Sequence, residues 1–524
     1  MKAHRFPRRL LAVLLSTLLI APPLGQAQSV SSTPNLPTLG DASREDLSPV
    51  LERKVGDEIM HDIKRNKDYL DDPPILEYIN ELGQKLVAAR PGARGDANYD
   101  YFFFVVRDTQ LNAFALPGGN IGVHSALLLA AQTESELASV LSHEVGHVAQ
   151  RHIARQLGNQ KGDALIPLAA MILAALAAKS SPDAAIGVFM GGQGLAIQRQ
   201  LNFSRDAERE ADRVGFQIMG AAGYDTSGMV AFFQRMQQST RNYSDLVPAW
   251  LQSHPLTTER IADIQARVRE QPYKQRVDAS DFYLARTRAR VLQDESEKGL
   301  TETQQFFQIQ TESPSRQQVA AGQYGLAMVA QRRNDFAAAQ SWLDKARATL
   351  DKPPLPGAFS SPMPRGQADT MLAFLSLEIK LAQESKPEVM AAAIKEAAQA
   401  HNRYPLSRGI AWQYADAMIK GGKHDDAGRF LRDQLQMYRS EPELHDFLAQ
   451  VYAKQGKIAL QHISTAESYV LQGGIMAALD QLGLARKAPD ATYYDQSVID
   501  GRERELQAQR REMMGENKKD KDKD

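Results

Sequence analysis

SHEVGHVAQRH, residues 142–152, sets His143 and His147 four positions apart with Glu144 beside the first. The surrounding apolar periodicity predicts a helix over about residues 133–157. Four residues of helix advance about 6 Å and return the side chain to the same face, so both imidazoles can aim at one point. The chain has 11 His and 63 acidic residues. Counting every acid as Glu, chance yields a His-Glu-x-x-His pattern at most about 0.03 times per chain, which is suggestive only. The alternative is three polar residues that happen to share a helix.

A metal ion bound by two such histidines needs a third protein ligand, and a catalytic zinc keeps one further position open. Downstream, EREAD carries Glu208 and, one helical turn later, Asp212. Taken alone, two acids at this spacing form a solvated helix face. Behind a histidine pair, Glu208 completes a His–His–Glu set. Asp212 then either orients a ligand histidine or donates a proton to the reaction. One zinc ion per chain held by His143, His147 and Glu208 makes peptide hydrolysis at neutral pH feasible, with Glu144 placed to take the proton from the attacking water.

Two further segments bear on this site. His254, in WLQSHPLTTERIADI, is either a structural loop histidine or a regulatory fourth ligand that holds the enzyme latent. Arg260 in the same segment either pairs with Asp212 or stays solvated. YDYFFFVVRD followed by NAFALPGGNIGVH reads as strands with a hairpin turn at PGGN. Asn112, Ala113, Phe114 and Ala115 are a candidate edge for an extended substrate to pair with, or simply part of an ordinary hairpin. His124 reads as structural. So does His152, placed too far along the same helix to join the cluster.

The rest of the 524 residues bounds the protein more coarsely. Two or three domains are expected at this length. A net charge of −1 gives no basic excess for nucleic acid, and the absence of cysteine excludes disulfides, thiol nucleophiles and thiolate metal sites. MKAHRFPRR followed by LLAVLLSTLLIA reads as a signal peptide, residues 1–27, cleaved near Ala27; an uncleaved anchor needs a longer apolar run. The stretches 164–178 and 184–197 are apolar but short and broken by proline and glycine. They read as a buried helical hairpin, a flap over the site, or a surface in peripheral contact with lipid. From residue 281 the chain becomes alanine-rich and helical. Ala339, Leu343 and Ala346 match a tetratricopeptide second helix, and Met390, Ile394 and Ala397, Ala427 and Leu431, and Ala478, Leu482 and Ala485 repeat it. Their anchors are spaced more widely than the roughly 34 residues of a regular array, so the repeats are degenerate and carry insertions, and a generic helical bundle is the alternative. The expected division is a metallopeptidase domain over 28–280, repeats over 281–500, and a solvated, unstructured tail over 501–524.

On SHEVGHVAQRH, NAFALPGGNIGVH and EREADRVG the sequence resembles the zinc endopeptidases related to the CAAX-prenyl proteases. The resemblance implies an α+β, mostly helical fold with a zincin-type domain and a small β-sheet. It implies His143, His147 and Glu208 as zinc ligands, Glu144 as general base and Asp212 as proton donor. With an export signal in front and repeats behind, it implies a periplasmic enzyme. Its clients would be unfolded or misassembled outer-membrane β-barrel proteins, with the repeats recruiting client or assembly machinery. The membrane members of the family carry transmembrane helices, and the interrupted apolar stretches here depart from them. A chaperone or assembly scaffold with little proteolysis is the other class of function, and Glu144 discriminates, because a scaffold needs no general base.

Overall fold

The aromatic and β-branched run forms β1 (Phe102–Val106), and the glycine-rich turn joins β2 (Ala113–Ala115) to β3 (Asn120–His124). These strands belong to a computed structural model that describes residues 48–95, 97–158, 204–242, 249–272, 276–352 and 364–521. The expected signal peptide and both apolar stretches lie outside the described residues. Strand order is β1–β3–β2, with β3 parallel to β1 and antiparallel to β2. The hairpin at PGGN is therefore present, and among the described residues β2 is an edge strand.

Helices α1 (Pro49–Lys64) and α2 (Pro73–Ala88) precede the sheet. After it come α3 (Ser125–Ala130), α4 (Glu134–Ala149), α5 (His152–Gly158), α6 (Arg205–Ala221), α7 (Ser227–Asn242), α8 (Ala249–Ser253) and α9 (Thr258–Arg269). Thr133 caps α4 by accepting from the Glu136 amide, and every residue of that helix is buried. Its polar positions, Ser139, Ser142, His143, Glu144 and His147, thus lie inside the protein.

α4 and α6 approach closely because glycines face each other's backbone. A Cβ on Gly146 would meet the Ala211 carbonyl at 2.9 Å, and one on Gly215 would meet the His143 amide nitrogen at 2.9 Å. Any larger residue would push the helices apart, and this contact sets the acids of α6 against the histidines of α4. The single helix expected over 133–157 is broken instead: α4 ends at Ala149, Arg151 adopts φ of 51°, and α5 begins at His152.

Further helices follow: α10 (Ser280–Gln293), α11 (Glu297–Gln310), α12 (Arg316–Arg332), α13 (Phe336–Asp351), α14 (Ala368–Leu381), α15 (Pro387–Arg403), α16 (Arg408–Lys420), α17 (His424–Met437), α18 (Pro442–Lys454), α19 (Ile458–Leu471) and α20 (Ile475–Arg486). The expected repeat anchors are buried, with Ile394 partly so. The expected division at 280/281 does not divide the core, because one apolar cluster runs from Leu70 through Phe282 and Leu343 to Ile379. Polar ties cross the same boundary. Arg288 on α10 pairs with Asp72, the N-cap of α2, and with Glu378 on α14, while Glu77 accepts from Ser407 and the Gly409 amide at 3.0 Å each.

The unstructured tail expected from residue 501 is also corrected. Helix α21 (Tyr493–Lys521) continues through that point. Its buried Ile499 and Leu506 dock it, and Arg502 pairs with Glu467 on α19 at 2.8 Å. Sequence composition weighted the lysine- and aspartate-rich end and missed this apolar seam. Among the described residues, no helix is long and apolar enough to cross a membrane.

Candidate metal centre

The i, i+4 geometry of α4 places His143 and His147 side by side, and the glycine-mediated contact with α6 brings Glu208 to them. The short helix α8 then delivers His254. Ligand atoms of these four buried residues all lie within 4.8 Å of one another. His143 Nε2 is 3.0 Å from His147 Nε2, 3.5 Å from Glu208 Oε2 and 3.4 Å from His254 Nδ1. Glu208 Oε1 is 3.4 Å from His147 Nε2 and 2.9 Å from His254 Nδ1.

Four donors on a tetrahedron with bonds of about 2.0–2.1 Å stand about 3.3–3.4 Å apart, so this spacing fits a divalent ion of zinc size. Imidazole nitrogen with one carboxylate oxygen is also a donor set that suits such an ion. Glu144 supplies a second test. Its Oε1 faces Trp250 Nε1 at 3.4 Å, while its Oε2 is buried with no hydrogen-bond partner. A buried carboxylate oxygen without a donor is costly unless something else is meant to meet it.

Electrostatics organise the cluster. Burial disfavours charge on His143, but hydrogen bonds to Asp212 and Glu208 outweigh it and raise its pKa to about 9. Burial, reinforced by the neighbouring histidines, pushes His147 well below its ordinary value. Burial opposes ionisation of Glu208, yet His254, His143 and His147 around it hold its carboxyl well below the usual range. Asp212 is likewise held low against burial, by Arg260 and His143.

The Asp212 carboxylate lies against the His143 imidazole. Its Oδ1 lies 3.0 Å from His143 Nδ1, and Arg260 grips both of its oxygens at 2.6 and 2.8 Å. Held this way by Arg260, an ionised carboxylate can orient the His143 imidazole. Arg260 is paired, not solvated, and also reaches Glu208 at 2.7 Å.

Sequence reasoning missed Trp250, Glu210 and the contact of His152. The helix break turns His152 back so that its Nδ1 lies 2.8 Å from His147 Nδ1, while its Nε2 meets Glu210 at 3.0 Å. The contact depends on the positive φ at Arg151, whose partner Glu52 lies far away in the chain, so the quoted stretch alone carries no signal for it. His124 is remote from the cluster, bonding the Gln110 carbonyl at 3.1 Å and lying 3.2 Å from Asp108. Ala113, Phe114 and Ala115 form β2, which packs against α4, and Asn112 just precedes it.

The comparisons agree with this geometry. The description "Peptidase family M48" matches residues 77–268, which include the whole cluster. The β-barrel assembly-enhancing protease of Escherichia coli (strain K12) is 30% identical over 497 residues, 94% of this chain and 96% of that one. A putative β-barrel assembly-enhancing protease of Vibrio cholerae is 36% identical over 283 residues, 54% of this chain and 57% of its own. The mitochondrial metalloendopeptidase OMA1 of Schizosaccharomyces pombe is 28% identical over 210 residues, 40% of this chain and 57% of its own. With relatives aligned over nearly its full length and a family match across its histidine and acidic cluster, the chain belongs to peptidase family M48 and is a metalloprotease.

Proposed function

We propose that the protein is a periplasmic zinc endopeptidase that cleaves unfolded or misassembled outer-membrane β-barrel proteins, with His143, His147 and Glu208 as the zinc ligands. The observation that carries this is the buried, unpartnered Glu144 Oε2 beside a four-donor cluster. The names of the relatives support the substrate class, and the basic-then-apolar N-terminus supports export.

Zinc, when bound, acidifies a water and polarises a peptide carbonyl. Glu144 Oε2 accepts the proton, with Trp250 Nε1 holding the other oxygen in place. Asp212 and Arg260 keep His143 oriented. The substrate backbone adds to β2 as a further strand, pairing without regard to side-chain identity. His254 fills the fourth corner at rest, and the repeats hold the client or the assembly machinery.

The test is degradation of an unfolded outer-membrane β-barrel protein by the mature chain and by Glu144→Gln, with zinc content measured on both. Cleavage by the wild type alone, at equal zinc content, is expected. Equal cleavage by the variant removes Glu144 from the chemistry. Absence of cleavage by both, with zinc bound, means either an enzyme held latent until a partner releases it or a chaperone or scaffold that keeps the site for structure.

A further inference from the structure

We propose that His152 and Glu210 are positioning residues for His147, fixing which of its nitrogens carries the proton and so presenting Nε2 to the metal. This rests on the zinc assignment above and extends it to a second, separately built support.

The geometry leaves one consistent arrangement of protons. His147 Nε2 faces His143 Nε2 and Glu208 Oε1 in the donor cluster. A histidine that offers the lone pair of Nε2 carries its proton on Nδ1. His147 Nδ1 then donates to His152 Nδ1, 2.8 Å away, which must present a lone pair. The proton of neutral His152 is therefore on Nε2, where Glu210 Oε2 accepts it at 3.0 Å. Arg155 meets the same Glu210 oxygen at 2.8 Å and fixes the end of the chain. His143 has its own support in Asp212, so each ligand histidine on α4 is tied to a separate acid on α6.

The contact requires a backbone feature that sequence periodicity hides. On an unbroken helix five residues turn through about 500°, leaving His152 about 140° around from His147. The break at Arg151, with φ of 51°, bends the chain so that the two rings meet edge to face with centroids 4.8 Å apart. That conformation is unfavourable for a residue with a side chain and persists only where surroundings enforce it. Here Glu52 on α1 pairs with the Arg151 guanidinium, Nε at 3.0 Å, and also takes the Tyr99 hydroxyl. The buried Glu52–Arg151 pair therefore acts on His147 through the position of His152.

The test measures zinc affinity of the full mature chain by competition with a chromophoric chelator, in the wild type, His152→Leu, His152→Gln and Glu210→Ala, with metal-free melting temperatures recorded alongside. Loss of such a partner typically weakens metal binding about 10- to 100-fold. That loss is expected for His152→Leu, and a smaller one for Glu210→Ala. His152→Gln, whose amide oxygen still accepts from His147 Nδ1, should stay near the wild type. Wild-type affinity in both His152→Leu and Glu210→Ala overturns the proposal, as does His152→Gln as weak as His152→Leu. If His152→Leu does not fold, the partly exposed Glu210→Ala decides in the same two directions. A wild type that takes no zinc overturns the metal assignment itself.

Discussion

Asp212 Oδ1 lies 3.0 Å from Nδ1 of His143, on the opposite side of the imidazole from the Nε2 that faces the donor cluster. With Arg260 holding both carboxylate oxygens, Asp212 is ionised at neutral pH and accepts a hydrogen bond. Asp212→Asn should therefore weaken zinc binding about 10- to 100-fold. Excess zinc should recover most of the peptidase rate, with the shape of its pH profile unchanged. Activity that stays lost at saturating zinc, with an altered limb of that profile, would return Asp212 to the role of proton donor.

His254 Nδ1 approaches Glu208 Oε1 at 2.9 Å and His143 Nε2 at 3.4 Å, so it stands as a fourth donor where a catalytic ion needs an open position. Removing it with His254→Ala should raise the rate of peptide cleavage while three donors remain. An unchanged or lower rate in a folded, zinc-containing variant counts against a latching role.

The cluster was largely legible in the sequence because helical spacing is a local rule. His143 and His147, and Glu208 and Asp212, are each one turn apart, and the repeat anchors follow the same arithmetic. Events that depend on distant partners were not legible. Nothing within SHEVGHVAQRH announces that Arg151 will bend the helix, because its partner, Glu52, is on α1. The core shared across residue 280 and the docking of α21 likewise arise from packing between segments far apart in the chain.

Arg288 is wholly buried and joins the two halves, reaching Asp72 at 2.6 Å and Glu378 at 3.1 Å. Arg288→Met keeps much of the volume but leaves both carboxylates without their shared cation. Breaking a buried pair in this way typically costs about 3–5 kcal/mol. Chemical denaturation should show a loss of that order, and a loss under about 1 kcal/mol would mean that water or rearrangement satisfies both acids.

Asp281, in the first turn of α10, is buried among Tyr78, Glu81, Glu134, Tyr224 and Arg276, and accepts from the Phe282 and Gln367 amides. Burial, with the charges of Glu134 and Glu81, raises its pKa to about 7. The folded state thus binds its proton more tightly than the unfolded chain. The associated stability is fully present below about pH 4 and is lost as pH rises through about 7. Asp281→Asn mimics the protonated form, so its stability relative to wild type should improve between pH 5 and pH 8. Urea midpoints that differ by the same amount at both values would show that Asp281 does not titrate there.

Strand β2 presents a fixed alternation of hydrogen-bonding groups. The His124 amide donates to the Asn112 carbonyl and the Leu116 amide to the Asn120 carbonyl, which sets the alternation along β2. Phe114, opposite Gly122, therefore exchanges its hydrogen bonds with β3, while Ala113 and Ala115 turn their amides outward. A substrate strand added at this edge would accept from the Ala115 N–H. Ala115→Pro removes that donor while keeping a backbone angle that an edge strand tolerates. One such hydrogen bond contributes about 0.5–1.5 kcal/mol, so kcat/KM should fall roughly 2- to 12-fold, with zinc content unchanged. Ala115→Val retains the amide and is the control for added bulk. If the proline and valine variants cleave equally well, the substrate does not pair with β2 at Ala115.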